Sequence, residues 1–290
     1  MHYLTEHWAF GPYVVIAIAV AVWHEVGLHR LTRSGGPADP ADPGWPRRLR
    51  RRSLLFYAGL AVLLIGTQSP VDYWGYDYFF VHMIQHLLLM FAVPSLLVAA
   101  APWRALFGDR ALTPGPALRA VARVALQPWV GIAAFSVVMV FWHLPGPFDL
   151  ADQNRAVHIW LMEPTFVLAG IMFWLQFISS PPVRIRMSSI GQAAALLATN
   201  CIMWVLAMAM GFLTSTSWYS VYNHIPGVTL PAFADQQIGA GILWICGDFW
   251  AVPTMVFVIR KLMAEDGSVS STVDRILGRG SSRYNWANRG

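Results

Sequence analysis

The chain has 290 residues, of which 56% are hydrophobic and 12% are charged, and its formal net charge at pH 7 is +5. A soluble domain carries about 25% charged residues, so this composition excludes an ordinary soluble protein and indicates an integral membrane protein. The surplus of basic residues does not indicate nucleic-acid binding, because these residues are spread over the loops between apolar segments.

Seven segments of the chain are apolar and approach the length of about 20 residues that a membrane-spanning helix needs. Because lipid offers no hydrogen-bonding partner, the backbone groups of these segments must be satisfied internally, which favours helices. We therefore predict an all-α fold, a polytopic membrane protein with a bundle of seven transmembrane helices. The predicted spans are residues 12–29, 53–67, 79–101, 127–144, 157–178, 189–213 and 236–260.

The basic residues predict the orientation of this bundle. Loop 30–52 holds seven arginines, whereas loops 68–78 and 214–235 hold no Lys or Arg. All but one of the 20 basic residues lie on the same side of the predicted bundle, and that side normally faces the cytoplasm. We expect the N-terminus outside and the C-terminus in the cytoplasm. We also expect a transmembrane domain over residues 1–262 and a polar cytoplasmic tail over residues 263–290.

Histidines are concentrated toward the outer ends of the predicted helices. His82 and His86 open the third span, His143 closes the fourth and His158 opens the fifth. His224 lies in the last outer loop. Polar residues of this kind are costly in hydrocarbon and are usually functional there. We expect the four helical histidines to meet when the helices pack, with His224 as a supporting residue.

The stretch HMIQHLLLM, which opens the third span, adds methionines to the same helix face. At 100° per residue, with the first histidine at 0°, His86 lies at about 40°, Met90 at about 80° and Met83 at about 100°. On the fifth span, Met162 lies about 40° from the opening histidine. Imidazole and thioether ligands together suit copper, and thioether favours the Cu(I) state. The sequence therefore predicts a copper site at the outer face.

Acidic side chains are candidates to support this site. Glu163 lies about 140° from His158 on an α-helical wheel, so we expect it to face a different neighbour. Asp235 precedes the seventh span, where we expect it to cap that helix, to support the site, or both. Asp248, near the middle of the seventh span, is either a protonated carboxyl or part of an ion path. Further outer carboxylates are Asp72, Asp77, Asp149 and Asp152.

Five stretches follow one another in an order that is typical of one family. They are HMIQHLLLM (82–90), WHLPGPFDLA (142–151), GIMFW (170–174), WYSVY (218–222) and DQQIGAGILW (235–244). Together they resemble the cytochrome c oxidase assembly factor CtaG family of the caa3-oxidase type. Pro164 departs from the family pattern, because some members carry a second histidine at this position.

The resemblance implies an assembly factor rather than an enzyme, located in the bacterial plasma membrane and supplying copper to a haem–copper oxidase. The partners expected on this basis are oxidase subunits, the lipid bilayer and a soluble copper donor. The expected site residues are His82, His86, His143 and His158 as ligands, Met83, Met90 and Met162 as transient ligands, and Glu163, Asp235 and His224 as supporting residues.

Other interpretations of the same residues are open at this point. Intramembrane histidines often donate interhelical hydrogen bonds, and methionines often fill apolar cores. Two histidines on different helices can ligate haem, which makes a membrane b-type haem protein an alternative function. A metal-free assembly scaffold is a second alternative. A transporter is a third, and it would use Glu163 and Asp248 as an ion path.

Overall fold

The computed structural model describes residues 6–33, 45–108 and 115–266 of the chain. These residues form helices and no β-strand, which confirms the predicted all-α class. Most of the predicted tail lies outside the described residues, so the division into domain and tail stays a prediction. In chain order the helices are α1 (Pro12–Arg33), α2 (Trp45–Gln68), α3 (Pro70–Gly75), α4 (Phe79–Ala100), α5 (Trp103–Phe107), α6 (Pro116–Ala125), α7 (Pro128–His143), α8 (Pro145–Gln153), α9 (Arg155–Trp174), α10 (Ser189–Phe212) and α11 (Ala232–Asp266).

Among the described residues, the helices α1, α4, α9, α10 and α11 are long and apolar enough to cross a membrane. A sixth span results if Arg119–Ala125 and α7 are counted together, although the two are bent by 68°. The second predicted span lies inside α2, whose first two turns carry five arginines, so α2 is less apolar than the others. The membrane character of the chain is therefore confirmed, whereas the count of seven spans and the orientation stay predictions.

Helix α4 is the central element of the fold. Of its most apolar 18-residue stretch, 56% is buried inside the protein, against 17% for α1, so α4 packs on protein where α1 faces outward. Two neighbours approach α4 closely at glycines. A Cβ on Gly170 of α9 would lie 2.5 Å from the Met90 carbonyl oxygen, and one on Gly239 of α11 would lie 2.5 Å from the Phe79 ring. These contacts place the HMIQH stretch in the core.

Two of the spanning helices contain a five-residue π-helical segment, Leu88–Ala92 in α4 and His158–Met162 in α9. Each segment ends two residues before a proline, Pro94 in α4 and Pro164 in α9. Proline has no N–H to donate, and its ring collides with the carbonyl four residues earlier, so a wider turn lets the helix continue past it. The 100° step of a regular α-helix therefore fails to place side chains across these two segments.

Candidate metal-binding site

The four helical histidines meet in the folded chain. The ring centroids of His82 and His86 are 4.4 Å apart. The His158 ring lies 5.3 Å from His82, and the His143 ring lies 5.2 Å from His86. All four side chains are between 1% and 4% exposed. Three helices that are distant in sequence, α4, α7 and α9, thus contribute to one buried group, which we call the histidine cluster.

The helix that carries HMIQH is held at its start by a residue from the other end of the chain. The backbone N–H of Phe79 donates to Oδ2 of Asp235 (2.7 Å), and that of Phe80 donates to Oδ1 (2.9 Å). The sequence predicts Asp235 as the cap of its own helix, and this is wrong. Helix α11 begins earlier, at Ala232, so Asp235 lies in its first turn and its carboxylate caps α4 instead.

Hydrogen bonds fix the tautomer of two histidines. Nδ1 of His82 lies 3.0 Å from the Tyr222 hydroxyl, which itself donates to the Gly75 carbonyl (2.7 Å). Because that hydroxyl proton is already used, His82 must donate from Nδ1. His143 likewise donates from Nδ1 to the Met139 carbonyl (2.6 Å). The Nε2 lone pairs of both rings are therefore left available as ligands.

Six buried ring nitrogens in the histidine cluster have no hydrogen-bond partner among the described residues. A buried polar atom without a partner is costly and rare in folded proteins, so such atoms indicate a ligand that satisfies them. Four buried imidazoles whose neighbouring ring centroids are 4.4–5.3 Å apart offer nitrogen ligands of the type that copper binds. The six atoms are Nε2 of His82 and His143 and both ring nitrogens of His86 and His158.

Aromatic side chains cover the histidine cluster. Phe148, from the stretch WHLPGPFDLA, lies 4.7 Å from the His82 ring between centroids, and Phe166 of α9 lies 4.4 Å from the His86 ring. Both phenylalanines are fully buried. Their rings keep bulk water away from the imidazoles, which strengthens every electrostatic interaction in the site.

The three methionines of the predicted site are buried, and two of them lie where the angles of a regular helix do not apply. Met83 lies against α11, because its Cγ would be 3.1 Å from a Cβ on Gly239. Met90 and Met162 lie within the π-helical segments, across which the wheel angles do not hold. Their role as transient ligands stays a prediction.

The π-helical segment of α9 also corrects the expected direction of Glu163. The wheel angle of about 140° between His158 and Glu163 predicts different neighbours for these two residues. Instead, Nε2 of His158 lies 3.6 Å from Oε1 of Glu163, and both side chains are buried. In a π-helix, residues five apart are joined by a hydrogen bond, and the Glu163 N–H does donate to the His158 carbonyl. The wider turn thus puts both side chains on one face.

Beside the histidine cluster lies a group of acidic ligands. Gln85, the central polar residue of HMIQH, donates from Nε2 to Asp72 Oδ1 (3.0 Å) and Glu163 Oε1 (3.2 Å). The possible ligand atoms of Asp72, His158 and Glu163 all lie within 4.8 Å of one another. No other group of three His, Cys, Asp or Glu residues in the described part of the chain is this compact.

Burial changes the acidity of groups that face the site from outside the spans. Burial raises the pKa of Asp152 to about 7, although the nearby His158 acts against this rise. Oδ1 of Asp152 lies 3.9 Å from Nδ1 of His82. Burial also raises the pKa of the Tyr222 hydroxyl, which therefore stays protonated and able to donate to Gly75.

Two supporting residues, Gln85 and Tyr222, are absent from the site that the sequence predicts. Gln85 carried a usable signal, because it is an amide inside an apolar helix between two candidate ligands. Tyr222 carried none, since it lies in a loop 140 positions from His82. That loop is held to α11 by Gln236, whose Oε1 accepts from the Trp218 N–H (2.6 Å) and whose Nε2 donates to the Met210 carbonyl (2.7 Å).

Two other predicted residues lie apart from the histidine cluster. His224 is exposed, and its backbone adopts a left-handed conformation with φ of 70°. Its supporting role stays a prediction. Asp248 accepts hydrogen bonds at Oδ1 from Asn200 Nδ2 (2.9 Å) and Trp204 Nε1 (3.1 Å). These two donors hold Oδ1 in place, and the choice between a protonated carboxyl and an ion path stays a prediction.

Comparison with known proteins gives a family and several distant relatives. The family model described as cytochrome c oxidase caa3 assembly factor (Caa3_CtaG) matches residues 22–265. Uncharacterized proteins of Mycobacterium bovis and Mycobacterium tuberculosis are each 24% identical over 290 residues, and one of Mycobacterium leprae is 24% identical over 286 residues. Each alignment covers 92% of this chain but 41% of the relative, so the chain spans less than half of their length. No solved structure matches.

Proposed function

The chain belongs to the cytochrome c oxidase caa3 assembly factor family, and from this premise we propose that it holds copper for insertion into a haem–copper oxidase. Copper is the cargo of this function and not a catalytic cofactor. The role is therefore one of binding and delivery rather than catalysis. The bacterial plasma membrane is the compartment in which such an oxidase is assembled, and several apolar helices suit this location.

One observation carries the proposal: the four imidazoles of the histidine cluster have six buried nitrogens without a hydrogen-bond partner in the described structure. A cluster that served only helix packing would pair these atoms, since each unpaired atom costs about 1–3 kcal/mol. A bound copper ion would satisfy several of them at once. The donor set therefore fits the cargo that the family description suggests.

His82, His86 and His143 are the central ligands in this proposal, with His158 at the edge of the cluster. Neutral imidazole nitrogens bind copper well, and the backbone and tyrosine acceptors at Nδ1 increase the basicity of the opposite nitrogen. Met83, Met90 and Met162 would act as soft ligands while Cu(I) leaves the site. Met83 lies within HMIQH, Met90 lies four residues after it, and Met162 lies in α9. All three are buried, which is compatible with this role.

The cover of the site suggests how delivery is controlled. The Tyr219 hydroxyl donates to the His143 carbonyl (2.9 Å), and Tyr222 holds His82, so one loop contacts two of the ligands. Asp149 of α8 ties that loop down by accepting from the hydroxyl and the N–H of Ser220. Hand-over to an oxidase subunit requires this loop or α8 to move away from the histidine cluster.

The distribution of basic residues supports an outward-facing site. Three loops surround the histidine cluster. Residues 68–78 contribute Asp72 and Gly75, residues 145–156 contribute Phe148 and Asp152, and residues 214–235 contribute Tyr222. Together these loops hold a single basic residue, Arg155. Loops with so few basic residues normally face away from the cytoplasm. Copper would then be received and released on the outer side, where a soluble donor and the oxidase subunits have access.

The direct test is the copper content of the detergent-purified chain after loading with Cu(I) under reducing conditions. The wild type should retain about one copper per chain, and His82→Ala/His86→Ala should lose it, because the variant lacks two of the proposed imidazole ligands. His24→Ala is the matched control, since His24 is equally buried but lies far from HMIQH in α1. Retention of copper in the double variant would contradict the proposal.

The same variants separate the alternatives in cells that depend on this chain for oxidase activity. A metal-free scaffold predicts that the double variant still supports an active oxidase, whereas copper delivery predicts loss of activity with the scaffold still folded. A b-type haem would show a Soret band in the purified protein. The geometry disfavours haem, because His82 and His86 are on one helix with rings 4.4 Å apart and cannot face opposite sides of one porphyrin.

A further inference from the structure

We infer that Asp72, His158 and Glu163 form a second cation site, distinct from the imidazole site for copper and specific for a divalent ion such as Zn²⁺. This inference goes beyond copper delivery, and it shares only His158 with that proposal. The three residues come from α3 and α9, and their possible ligand atoms lie within 4.8 Å of one another. Each of the three residues is buried, with at most 7% of its surface exposed.

Several buried polar atoms in and beside this group lack hydrogen-bond partners in the described part of the chain. Both ring nitrogens of His158, Oε2 of Glu163 and Oε1 of Gln85 are buried without a hydrogen-bond partner in the described residues. Gln85 cannot compensate for them. Its Nε2 has two hydrogens but lies within hydrogen-bond distance of three acceptors, on Gly66, Asp72 and Glu163. Around the Gln85 amide, acceptors therefore outnumber donor hydrogens, an arrangement that a cation would relieve.

The charges of Asp72 and Glu163 also favour a bound cation. Two carboxyl groups that share one amide donor repel each other when both are ionised, and burial makes this repulsion expensive. The nearest basic side chain is Arg155, whose Nη2 lies 3.8 Å from Asp72 Oδ2, but this side chain is 63% exposed. Its charge is screened by solvent and compensates the buried pair only weakly. A divalent ion between the carboxylates would balance both charges with the imidazole neutral.

The local backbone positions the three ligands from two separate helices. The π-helical turn His158–Met162 is what brings His158 and Glu163 onto one face, with Nε2 and Oε1 3.6 Å apart. Single π-helical turns inside α-helices occur frequently at functional sites. Asp72 is positioned independently, because α3 begins with Ser69 as its cap, the Ser69 side chain accepting from the Val71 N–H (3.1 Å). Two separately fixed elements thus present their ligands to one point.

The chemistry of the ligands decides the class of ion. Two carboxylates and one imidazole suit Zn²⁺ and other divalent ions of intermediate hardness, and they are poor ligands for Cu(I). The imidazoles of His86 and His143 bind Cu(I) as well as Zn²⁺. Cu(I) is therefore the ion that distinguishes the histidine cluster from the carboxylate group, although His82 and His158 lie only 5.3 Å apart between ring centroids.

The experiment is a Zn²⁺ titration of the full-length, detergent-purified chain against a chromophoric chelator, with no copper present. We expect about one Zn²⁺ per chain in His86→Ala, in which the histidine cluster lacks a central ligand and the carboxylate group is intact. We expect at least about tenfold weaker binding in Glu163→Gln and in Asp72→Asn, since each change removes a ligand while keeping the side-chain shape. Asp77→Asn is the matched control, because it removes a carboxylate from the same loop without touching the group.

Copper loading of the same samples separates this inference from the proposed function. Asp72→Asn should still take up Cu(I), which also shows that it is folded, while His86→Ala should lose Cu(I) and keep Zn²⁺. Absence of Zn²⁺ binding in a wild type that binds Cu(I) would overturn the second site and leave copper delivery intact. Wild-type Zn²⁺ affinity in both carboxylate variants would also overturn it. Zn²⁺ binding without Cu(I) binding would support the second site and contradict the copper proposal.

Discussion

Two histidine–tyrosine pairs at opposite ends of the fold are built alike but differ in what surrounds them. His82 donates from Nδ1 to Tyr222 (3.0 Å), and His24 of α1 has its Nδ1 3.3 Å from the hydroxyl of Tyr57. Each tyrosine donates onward, Tyr222 to the Gly75 carbonyl and Tyr57 to Glu25. Both imidazoles are almost fully buried.

The surroundings of the two pairs have opposite consequences for a cation. The His82 ring faces His86 and His158, and its Nδ1 lies 3.9 Å from Oδ1 of Asp152, a carboxylate that attracts positive charge. The His24 ring is stacked on Phe56, with 4.0 Å between the ring centroids. It lines a cavity of about 270 Å³ together with Arg52 and Arg104, whose positive charges would repel a cation. Burial and a fixed tautomer are therefore not sufficient to identify a metal ligand. Neighbouring imidazoles with unpaired nitrogens and the sign of the local charge are needed as well.

The largest effect that would test this comparison is the loss of a ligand. His143→Ala should weaken copper binding by more than about 100-fold, because even the loss of a residue that merely holds a ligand costs about 10- to 100-fold. His24→Ala should bind copper as the wild type does. Competition with a Cu(I) chelator measures both affinities. Equal losses in the two variants would mean that the two histidine environments do not differ as described.

A smaller effect is expected from the tyrosines themselves. Tyr222→Phe removes the acceptor that holds His82 in its tautomer, and copper affinity should fall by about 10- to 100-fold. Tyr57→Phe makes the same chemical change beside His24 and should alter copper affinity less than about twofold, since His24 is not a ligand. If Tyr222→Phe bound copper as tightly as the wild type, His82 would not depend on this hydrogen bond.

The cap on α4 should contribute to stability more than to ligand chemistry. Asp235→Ala leaves the N–H groups of Phe79 and Phe80 without their acceptor and should lower the free energy of unfolding by about 1–2 kcal/mol. Asp77→Asn, in the loop before α4, should leave it unchanged. Thermal unfolding in detergent, followed by circular dichroism, measures the difference. An unchanged midpoint in Asp235→Ala would show that α4 does not need this cap.

The smallest effect concerns the exposed cation beside the acidic group. Arg155→Gln removes a partner of Asp72 whose side chain is 63% exposed, and such pairs contribute about 0–1 kcal/mol. Zn²⁺ affinity should therefore change less than about fivefold, far less than in Asp72→Asn. A loss as large as that of Asp72→Asn would mean that Arg155, and not a bound ion, organises this carboxylate.

The π-helical turns of α4 and α9 change side-chain directions in a way that hydrophobic periodicity cannot reveal. The angle between His158 and Glu163 was predicted for a regular α-helix, and the π-helical turn before Pro164 changes it. The same holds for Met90, which lies in the corresponding turn before Pro94. Proline at these positions predicts a disturbance of the helix, but whether the chain kinks or widens depends on the helices packed around it.

The amino-acid sequence by itself determined the helical membrane character, the approximate helices and the family. It also singled out the four helical histidines as candidates for one site. These follow from hydropathy, local spacing and contiguous motifs, which are properties of neighbouring residues. Only the tertiary structure decided that His143 and His158 adjoin HMIQH, that Tyr222 fixes His82, and that Asp235 caps α4. These contacts join residues far apart in the chain, and helix packing creates them through close approaches that no local pattern encodes.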